Sequence, residues 1–462
     1  MKLTLTIVSA VLLSVNAFAW GPHSEIAQAA LDAMGANDPL VQRLGPDAKR
    51  LAQYVWMADL RQSLLVRSDE VFYADDYLLF PAATRHYQHI CPEVEQTYSP
   101  YFRRALQAMR TESTHNASRW IGSLLHFTTD TGSPPHAAGF LGPAHSKMEN
   151  WLDAKLIHIP GYQPQLLGAD DASAEAGFLR RMVGLIEYSK ERAQRCRADV
   201  DGDRRAPVEP VVLESALETA RVTADLLHTL GVLAAKANDD DATLTGKVIV
   251  PKIEHATMSR LAAKVVLLGT SYSTLTEPDG TFTFRHLPAG EYRLVVIAPG
   301  RVSEAKPVSL AAAATVTLEP LDLSQGTDGN LVRNGTFTVR WVSAEAFDHW
   351  SLRSLPGKLV SKTPVQYWDG EWIPLQSGVT YHLTARWKAT AADANGPKVF
   401  LRTKAKPDGS AITTDSAPVV QGTKELAVTG SPDVAWAQVC IRSSQSPDSV
   451  LEAVSLREVL AK

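Results

Sequence analysis

The spacing of apolar residues changes once along this 462-residue chain, near residue 238, and that change constrains the fold more than any other feature. Before it, apolar residues recur every three or four positions in SEIAQAALDAM, AKRLAQYVWMADLRQSLL, YFRRALQAMR, SRWIGSLLHFTTD, EAGFLRRMVGLIEYSKERAQRC and VLESALETARVTADLLHTLGVLAAKA. That period lays a stripe along one side of a helix. After the acidic NDDDAT (238–243), apolar and polar residues alternate in TGKVIV, AAKVVLLG, GTFTFRHLPAGEYRLVVIAPG and ATVTLEPL, the period of half-buried strands. A chain of this length exceeds one ordinary domain. The expected fold is therefore multidomain: an all-α unit over 20–237, then two all-β sandwich units. The first β unit, 243–322, reads as a small antiparallel sandwich with turns at Asp279-Gly280 and Ala289-Gly290. The second, 327–462, follows SQGTDG (324–329) and has YHLTARWKA, KVFLRTKA and VAWAQVCIR as its clearest strands.

The N-terminal stretch has a separate logic. Met1 and Lys2 precede the apolar LTLTIVSAVLLSV, which is too short to span a bilayer, and Ala17-Phe18-Ala19 has the small-x-small pattern of a cleavage site. Residues 1–19 are expected to be a signal peptide, and the mature protein to begin at Trp20 and be secreted or periplasmic. No other apolar run approaches the ~18 residues of a membrane span. A net charge of −4 offers no polyanion-binding surface, which weighs against nucleic acid as the main partner. Export permits a disulfide, and Cys91 with Cys196 is the expected pair because both fall in the helical unit. Cys440, inside VAWAQVCIR, is expected to be a buried free thiol in a strand.

The chemistry concentrates in HFTTDTGSPPHAAGFLGPAHSKMENWLD, residues 126–153. His126-x3-Asp130 and His145-x3-Glu149 are both i,i+4 pairs, so each projects from one helix face and can bite one cation. His136 lies between them, after Pro134-Pro135 has interrupted the helix. One such pair alone is more often a surface cap or ion pair; two pairs so close together, with a histidine between, favour a metal cluster. Imidazole nitrogen and carboxylate oxygen suit zinc. Cleavage before Trp20 creates a further ligand, because a free α-amino group and its own carbonyl oxygen close a five-membered chelate. His23 is near enough to hold the same ion.

These residues resemble the zinc-dependent phospholipase C and S1/P1 nuclease superfamily, exported all-helical enzymes whose mature chain starts with a zinc-binding tryptophan. HFTTDTGSPPHAAGF followed by AHSKMENWLD looks like the bacterial phospholipase C form of the motif, and ETARVTADLLHTLGVL (218–233) is similar to the closing helix. The resemblance covers roughly 20–237 and implies three zinc ions per mature chain. One is implied at Asp59, His86, His126 and Asp130, a second at His136, His145 and Glu149, and a third at Trp20, His23 and the bridging Asp130. Two alternatives stay open. His89 in RHYQHI competes with His86, which is preferred because the aromatic Tyr87 follows it, and Asp75 or Asp76 in FYADDY competes with Asp59. The implied reaction is attack of an activated water on phosphorus, with Asp59 orienting or deprotonating that water and no covalent intermediate. Glu149, where the nucleases of the superfamily generally carry aspartate, favours a phospholipid substrate cleaved to diacylglycerol and a phosphorylated alcohol. A single-strand nuclease or nucleotidase with the same zinc site is the alternative. A surface- or glycan-binding protein with a decayed enzyme head is a third reading, disfavoured because every ligand type of the motif is present.

Trp56, Trp120 and Trp151 fit the helical core, with Trp56 close enough to Asp59 to wall a cleft. Phe72, Tyr77 and Phe80 fall in an expected loop, where peripheral contact with a membrane competes with packing on the domain itself. Residues 243–322 resemble carboxypeptidase regulatory-like, immunoglobulin-type sandwiches. Residues 327–462 resemble a galactose-binding-like jelly roll, with NLVRNGTFTVRW as its opening strand and AVSLREV as its closing one. In QYWDGEW, Trp368 and Trp372 flank an expected turn from which the rings could stack on a cell-surface glycan. No obligate protein partner is evident.

Overall fold

A computed structural model describes residues 21–59, 63–67, 70–73, 79, 89–236, 240–250, 263–298, 301–323, 330–337, 350–353, 367–388, 398–405, 412–414, 422–442 and 450–459. The chain forms a helical unit followed by two β-sheet units, as the change of period requires. In the helical unit, α1 spans His23–Met34, α2 Pro39–Leu44, α3 Leu51–Tyr54, α4 Glu95–Thr111, α5 Thr114–Gly132, α6 Pro134–Ala137, α7 Pro143–Asn150, α8 Asp171–Asp201 and α9 Arg205–Ala234. Their ends follow local chemistry. Asp38 caps α2 through the Leu40 N–H, Ser113 caps α5 through the Asn116 N–H, and Asp170 and Ser173 form a reciprocal capping box at α8. Pro134 and Pro135 open α6 where they cost no hydrogen bond, directly after α5 stops.

The helix α5 is the axis of this unit. Every residue from Asn116 to Gly132 is buried, and α3, α4, α8 and α9 all pack against it. Trp120, Tyr54, Tyr101, Phe102, Phe127 and Phe178 are the largest side chains in the surrounding core. Gly122 lets the α3 backbone lie directly on α5, since a Cβ there would stand 2.5 Å from Tyr54 Cβ and 2.8 Å from Tyr54 O. The stretch AKRLAQYVWMADLRQSLL departs from its helical period. Here α3 ends at Tyr54, and Ser63–Arg67 (β1) pairs antiparallel with Glu70–Tyr73 (β2), Ser63 facing Tyr73. A short run rich in Leu and Val reads equally well at either period, and cross-strand pairing decides it. No helix among the described residues is long and apolar enough to cross a membrane.

The expected Cys91–Cys196 bridge is not formed, and both thiols are free. Membership of one unit does not bring two Cβ atoms within bridging distance. Cys196 Sγ instead lies 3.7 Å from the Ala193 carbonyl of its own helix, while the Cys91 main chain is tied to His136 O at 3.1 Å. Burial pushes the Cys91 thiol up to about 12, so it stays protonated. Cys440 is a buried, unbridged cysteine in a strand, as expected, with its Sγ 3.6 Å from Gln438 Oε1.

The first β unit comprises β3 (Ala242–Ile249), β4 (Lys264–Leu267), β5 (Ser273–Leu275), β6 (Thr281–Leu287), β7 (Gly290–Ala298), β8 (Arg301–Val302), β9 (Lys306–Leu310), β10 (Thr315–Thr317) and β11 (Leu321–Asp322). One sheet has the order β10-β3-β11 with β6 on β3, and the other β5-β4-β7-β8 with β9 on β7. The expectation of a purely antiparallel sandwich needs correction: β10 and β11 run parallel to β3, because the chain returns to that sheet after crossing the other. Leu244, Phe282, Phe284, Val265, Leu294 and Val296 fill the space between the sheets. This unit docks on α4 and α5. Asn116 Nδ2 donates to Thr274 Oγ1 at 2.7 Å and Leu275 O at 3.0 Å, and Leu275 enters the helical core.

The second β unit comprises β12 (Ser351–Arg353), β13 (Tyr367–Pro374), β14 (Thr380–Lys388), β15 (Lys398–Lys404), β16 (Ile412–Thr414), β17 (Gly422–Thr429), β18 (Trp436–Arg442) and β19 (Val450–Glu458). They form two antiparallel sheets, β12-β13-β18-β15-β16 and β17-β14-β19. AVSLREV lies in β19, but the expected opening strand is reduced, among its described residues, to a bridge from Asn330 to Arg457. Asn334 and Phe337 adopt positive φ there, while Leu331 and Gly335 still share main-chain hydrogen bonds with β19. The glycan-stacking expectation fails for Trp372, which is 1% exposed inside the core, with the Lys404 ammonium 4.1 Å above its ring. Trp368 is half-buried against the same core. β13 runs continuously from Tyr367 to Pro374, with only a register shift against β18 between Asp369 and Trp372, so no turn lies between the two tryptophans.

The α3–α5 contact gives a direct test. Gly122→Ala should destabilise the helical unit by about 1–3 kcal/mol through overpacking against backbone. The check is a shift of its urea unfolding midpoint relative to wild type.

Candidate metal centre

The spacing of the motif becomes a cluster because α5 delivers His126 and Asp130 one turn apart into a water-free interior. Three sets of side chains converge, the first two sharing His126, and in each the candidate ligand atoms lie within 4.8 Å of one another: His23, Asp59 and His126; His89, His126 and Asp130; and His136, His145 and Glu149. His126 Nε2 lies 3.1 Å from Asp130 Oδ2, 3.5 Å from Asp59 Oδ1 and 3.0 Å from His89 Nδ1. His89 Nδ1 is 2.6 Å from Asp130 Oδ2, and His23 Nε2 is 3.5 Å from Asp130 Oδ1. Glu149 Oε1 receives His136 Nε2 at 2.9 Å and His145 Nε2 at 3.1 Å.

The other ring nitrogens reveal how these rings are held. His126 Nδ1 donates to Val55 O at 2.9 Å, His145 Nδ1 to Phe140 O at 2.9 Å, and His136 Nδ1 to His89 O. His23 Nδ1 lies 2.5 Å from Thr129 Oγ1, whose own proton goes to the Leu125 and His126 carbonyls, so the hydroxyl accepts from His23. Each of the four rings thus spends Nδ1 on an orienting acceptor and turns Nε2 toward carboxylates, the arrangement that fixes tautomer and direction in metal-ligating histidines. Asp130 Oδ1 and Asp59 Oδ2 are buried and accept no hydrogen bond, which leaves lone pairs facing the cluster. Nitrogen and oxygen donors with unspent lone pairs, rigidly oriented and dry, fit a borderline cation such as zinc.

Electrostatics follow from burial. Burial would raise the Asp130 carboxyl, but His126 and His136 beside it hold it well below the usual carboxylate range. Burial likewise works against Glu149, and hydrogen bonds from His136 and His145 keep it low. Burial lowers His126 and His136, yet the neighbouring carboxylates outweigh it and set both at about 9. His23 is pushed well below its ordinary value by burial and by His126, so it is neutral.

The residues singled out in the sequence divide clearly. His23, Asp59, His126, Asp130, His136, His145 and Glu149 all belong to the cluster. Trp20, His86, Asp75 and Asp76 lie outside the described residues. His89, the alternative to His86, is inside the cluster. Its place follows from the Cys91 N–H bond to His136 O and the His136 bond to His89 O, which no spacing along the chain records. Trp56 packs edge-on against His23, with ring centroids 5.0 Å apart, and donates Nε1–H to Ser24 Oγ. The orienting groups Thr129, Val55 and Phe140 escaped the sequence reading. Only Thr129 left a signal there, three residues after His126 on the same helix face.

Protons and cations compete for the same Nε2 lone pairs. With His126 and His136 at about 9, zinc uptake near neutral pH should release about two protons per chain, and apparent affinity should climb as pH rises toward 9. Calorimetry in buffers of different ionisation enthalpy measures this directly. Without metal the sign reverses: both rings are raised above the ~6.5 of an unfolded chain, so their stabilisation is full below that value and lost as pH climbs through about 9.

Comparison with known proteins fits this geometry. Two proteins named phospholipase C from Bacillus cereus are 27% identical over 142 residues and 26% over 141. Each match takes in 28% of this chain and 48% of the relative, so the chain spans about half the length of the curated relatives it matches. The alpha-toxin of Clostridium perfringens, a solved structure, is 13% identical at a TM-score of 0.35, covering 63% of this chain and 96% of that one. Residues 243–324 match the carboxypeptidase regulatory-like domain family. Over part of its length the chain is thus similar to bacterial proteins named phospholipase C, and over residues 243–324 to the carboxypeptidase regulatory-like domain family.

Proposed function

We propose that the chain is an exported zinc-dependent phosphodiesterase that cleaves phospholipid head groups, giving diacylglycerol and a phosphorylated alcohol. The observation that carries it is the set of four histidines, three of them buried, each locked through Nδ1 with Nε2 aimed at Asp130, Asp59 or Glu149. The relatives named phospholipase C support the choice of a lipid phosphodiester, as does glutamate at position 149. His23, Asp59, His89, His126 and Asp130 would hold one part of the zinc cluster and His136, His145 and Glu149 the other. Trp20, freed by removal of residues 1–19, is proposed to complete it with His23.

Zinc bound there supplies Lewis acidity, polarising phosphoryl oxygens and easing loss of a proton from water. The chain's own contribution is position and proton handling. Asp59 is the most open of the cluster's carboxylates, at 28% exposure, and its Oδ2 accepts no hydrogen bond, so it can orient a water and take its proton. Asp130, fully buried between rings, holds its charge through the reaction and keeps His89 and His126 in place. Attack on phosphorus breaks the bond to the glycerol oxygen, which leaves as the diacylglycerol hydroxyl once protonated.

Three measurements test this reading. The mature protein beginning at Trp20 is assayed for zinc content with phosphatidylcholine and single-stranded DNA offered in parallel. Two or three ions with diacylglycerol release are expected; nucleotide release in its place would move the function to the nuclease branch. Asp59→Asn should lower the rate by roughly 10²–10⁴-fold, the range for loss of a general base, and weaken zinc only in the part of the cluster that Asp59 would help to hold, leaving the His136–His145–Glu149 part loaded. One residue added before Trp20 should lower both zinc content and rate, and an unaffected enzyme would remove Trp20 from the site.

A further inference from the structure

We infer that Glu277, contributed by the first β unit, is a positioning residue for the metal cluster, acting on His126 through His115, Tyr54 and the Val55 carbonyl. The inference rests on the zinc-site reading above and extends it to a second structural unit. Glu277 follows β5 by two residues and reaches the start of α5, where His115 occupies the first turn. His115 Nε2 lies 2.6 Å from Arg50 Nη1, 2.7 Å from Tyr54 Oη and 3.1 Å from Arg119 Nη2. Guanidinium groups only donate, so Nε2 is the acceptor and the ring proton sits on Nδ1. That nitrogen lies 3.6 Å from Glu277 Oε2. Burial works against the Glu277 charge, but hydrogen bonding from His115 and Ser113 outweighs it and holds the carboxyl below its ordinary value.

Tyr54 carries the constraint inward. Its ring is fully buried, its hydroxyl is held by His115, and its main chain lies on Gly122 with no room for a Cβ between them. The next residue is Val55, whose carbonyl accepts from His126 Nδ1 at 2.9 Å. Displacing Tyr54 therefore turns the Val55 carbonyl and loosens the ring shared by two of the three ligand sets. The third set takes its orientation from Phe140 O and His89 O instead of Val55 O, so its His145–Glu149 arm serves as the internal control.

The test uses the full mature chain with Glu277→Ala, Glu277→Asp and Ser271→Ala. The last removes the Ser271 bond to Gln107 across the same interface, 2.9 Å long, without touching the relay. Stepwise zinc release to a chelator and the visible bands of the cobalt-substituted protein are the readouts. Glu277→Ala should weaken at least one release step by about three- to tenfold, below the ~10–100-fold seen on losing a group bonded directly to a ligand. Another step should stay at wild type, the cobalt bands should change, Glu277→Asp should recover most of the loss, and Ser271→Ala should move neither readout. Unchanged release and unchanged bands in folded Glu277→Ala would overturn the relay. An equal loss in Ser271→Ala would overturn it too, by making the effect one of docking in general. If Glu277→Ala does not fold, the size-matched Glu277→Gln is read by the same criteria. A wild-type chain that takes up no zinc refutes the underlying site reading, and that result is seen before any substitution is made.

Discussion

Asp130 keeps a full negative charge where no water reaches it, and much of the helical unit is arranged around that fact. A lone ionised carboxylate in such a place costs several kcal/mol or more, so it must be surrounded by donors or a cation. His23, His89, His126 and His136 approach it from four separate segments: the start of α1, the turn before α4, α5 itself and α6. Each of those segments is placed by packing against the buried α5, so the core and the site are one construction. The same burial that makes Asp130 expensive makes the cluster dry, which strengthens every electrostatic interaction within it.

Three of the four rings take their orientation from the backbone, and only His23 takes it from a side chain, Thr129. Carbonyls of Val55, His89 and Phe140 each occupy one histidine nitrogen, and a carbonyl moves only if its whole segment moves. This makes the cluster sensitive to helix packing some distance away. Gly122 is one such point, since it sets how closely α3 approaches α5. The docking of the first β unit is another. Leu275 buries itself in the helical core, Asn116 reaches Thr274, and the buried Arg104 pairs with Glu112 at 2.5 Å while lying over the Trp120 ring. That β unit is thus packed into the helical unit's core, with its own carboxylate at the head of the helix that bears two ligands.

Much of the site was legible because i,i+4 pairs are local geometry. His126 with Asp130 and His145 with Glu149 sit one helical turn apart wherever the helix goes, so residue type and spacing were enough to pair them. His136 was legible because Pro134-Pro135 forces a new helix start beside it. The membership of His89 was not, because its segment is brought to the cluster by main-chain bonds to and from His136, which spacing along the chain does not record. Strand identity was legible where alternation was clean, as in β3. It failed where other forces chose: the residues after α3 form a hairpin, and Trp372 lies in the sandwich core.

The sequence by itself determined the order of units, the helical framework of the first, the pairing of ligands by turn, and the residue types that suit zinc. These follow from periodicity and donor chemistry, which act between near neighbours in the chain. Only the tertiary structure decided that His23, Asp59 and His89 meet His126, that Cys91 and Cys196 stay apart, and that a glutamate from a β unit approaches His115 in the first turn of α5. Those are contacts between residues tens to well over a hundred positions apart, set by which surfaces exclude water together, and no local pattern encodes that choice.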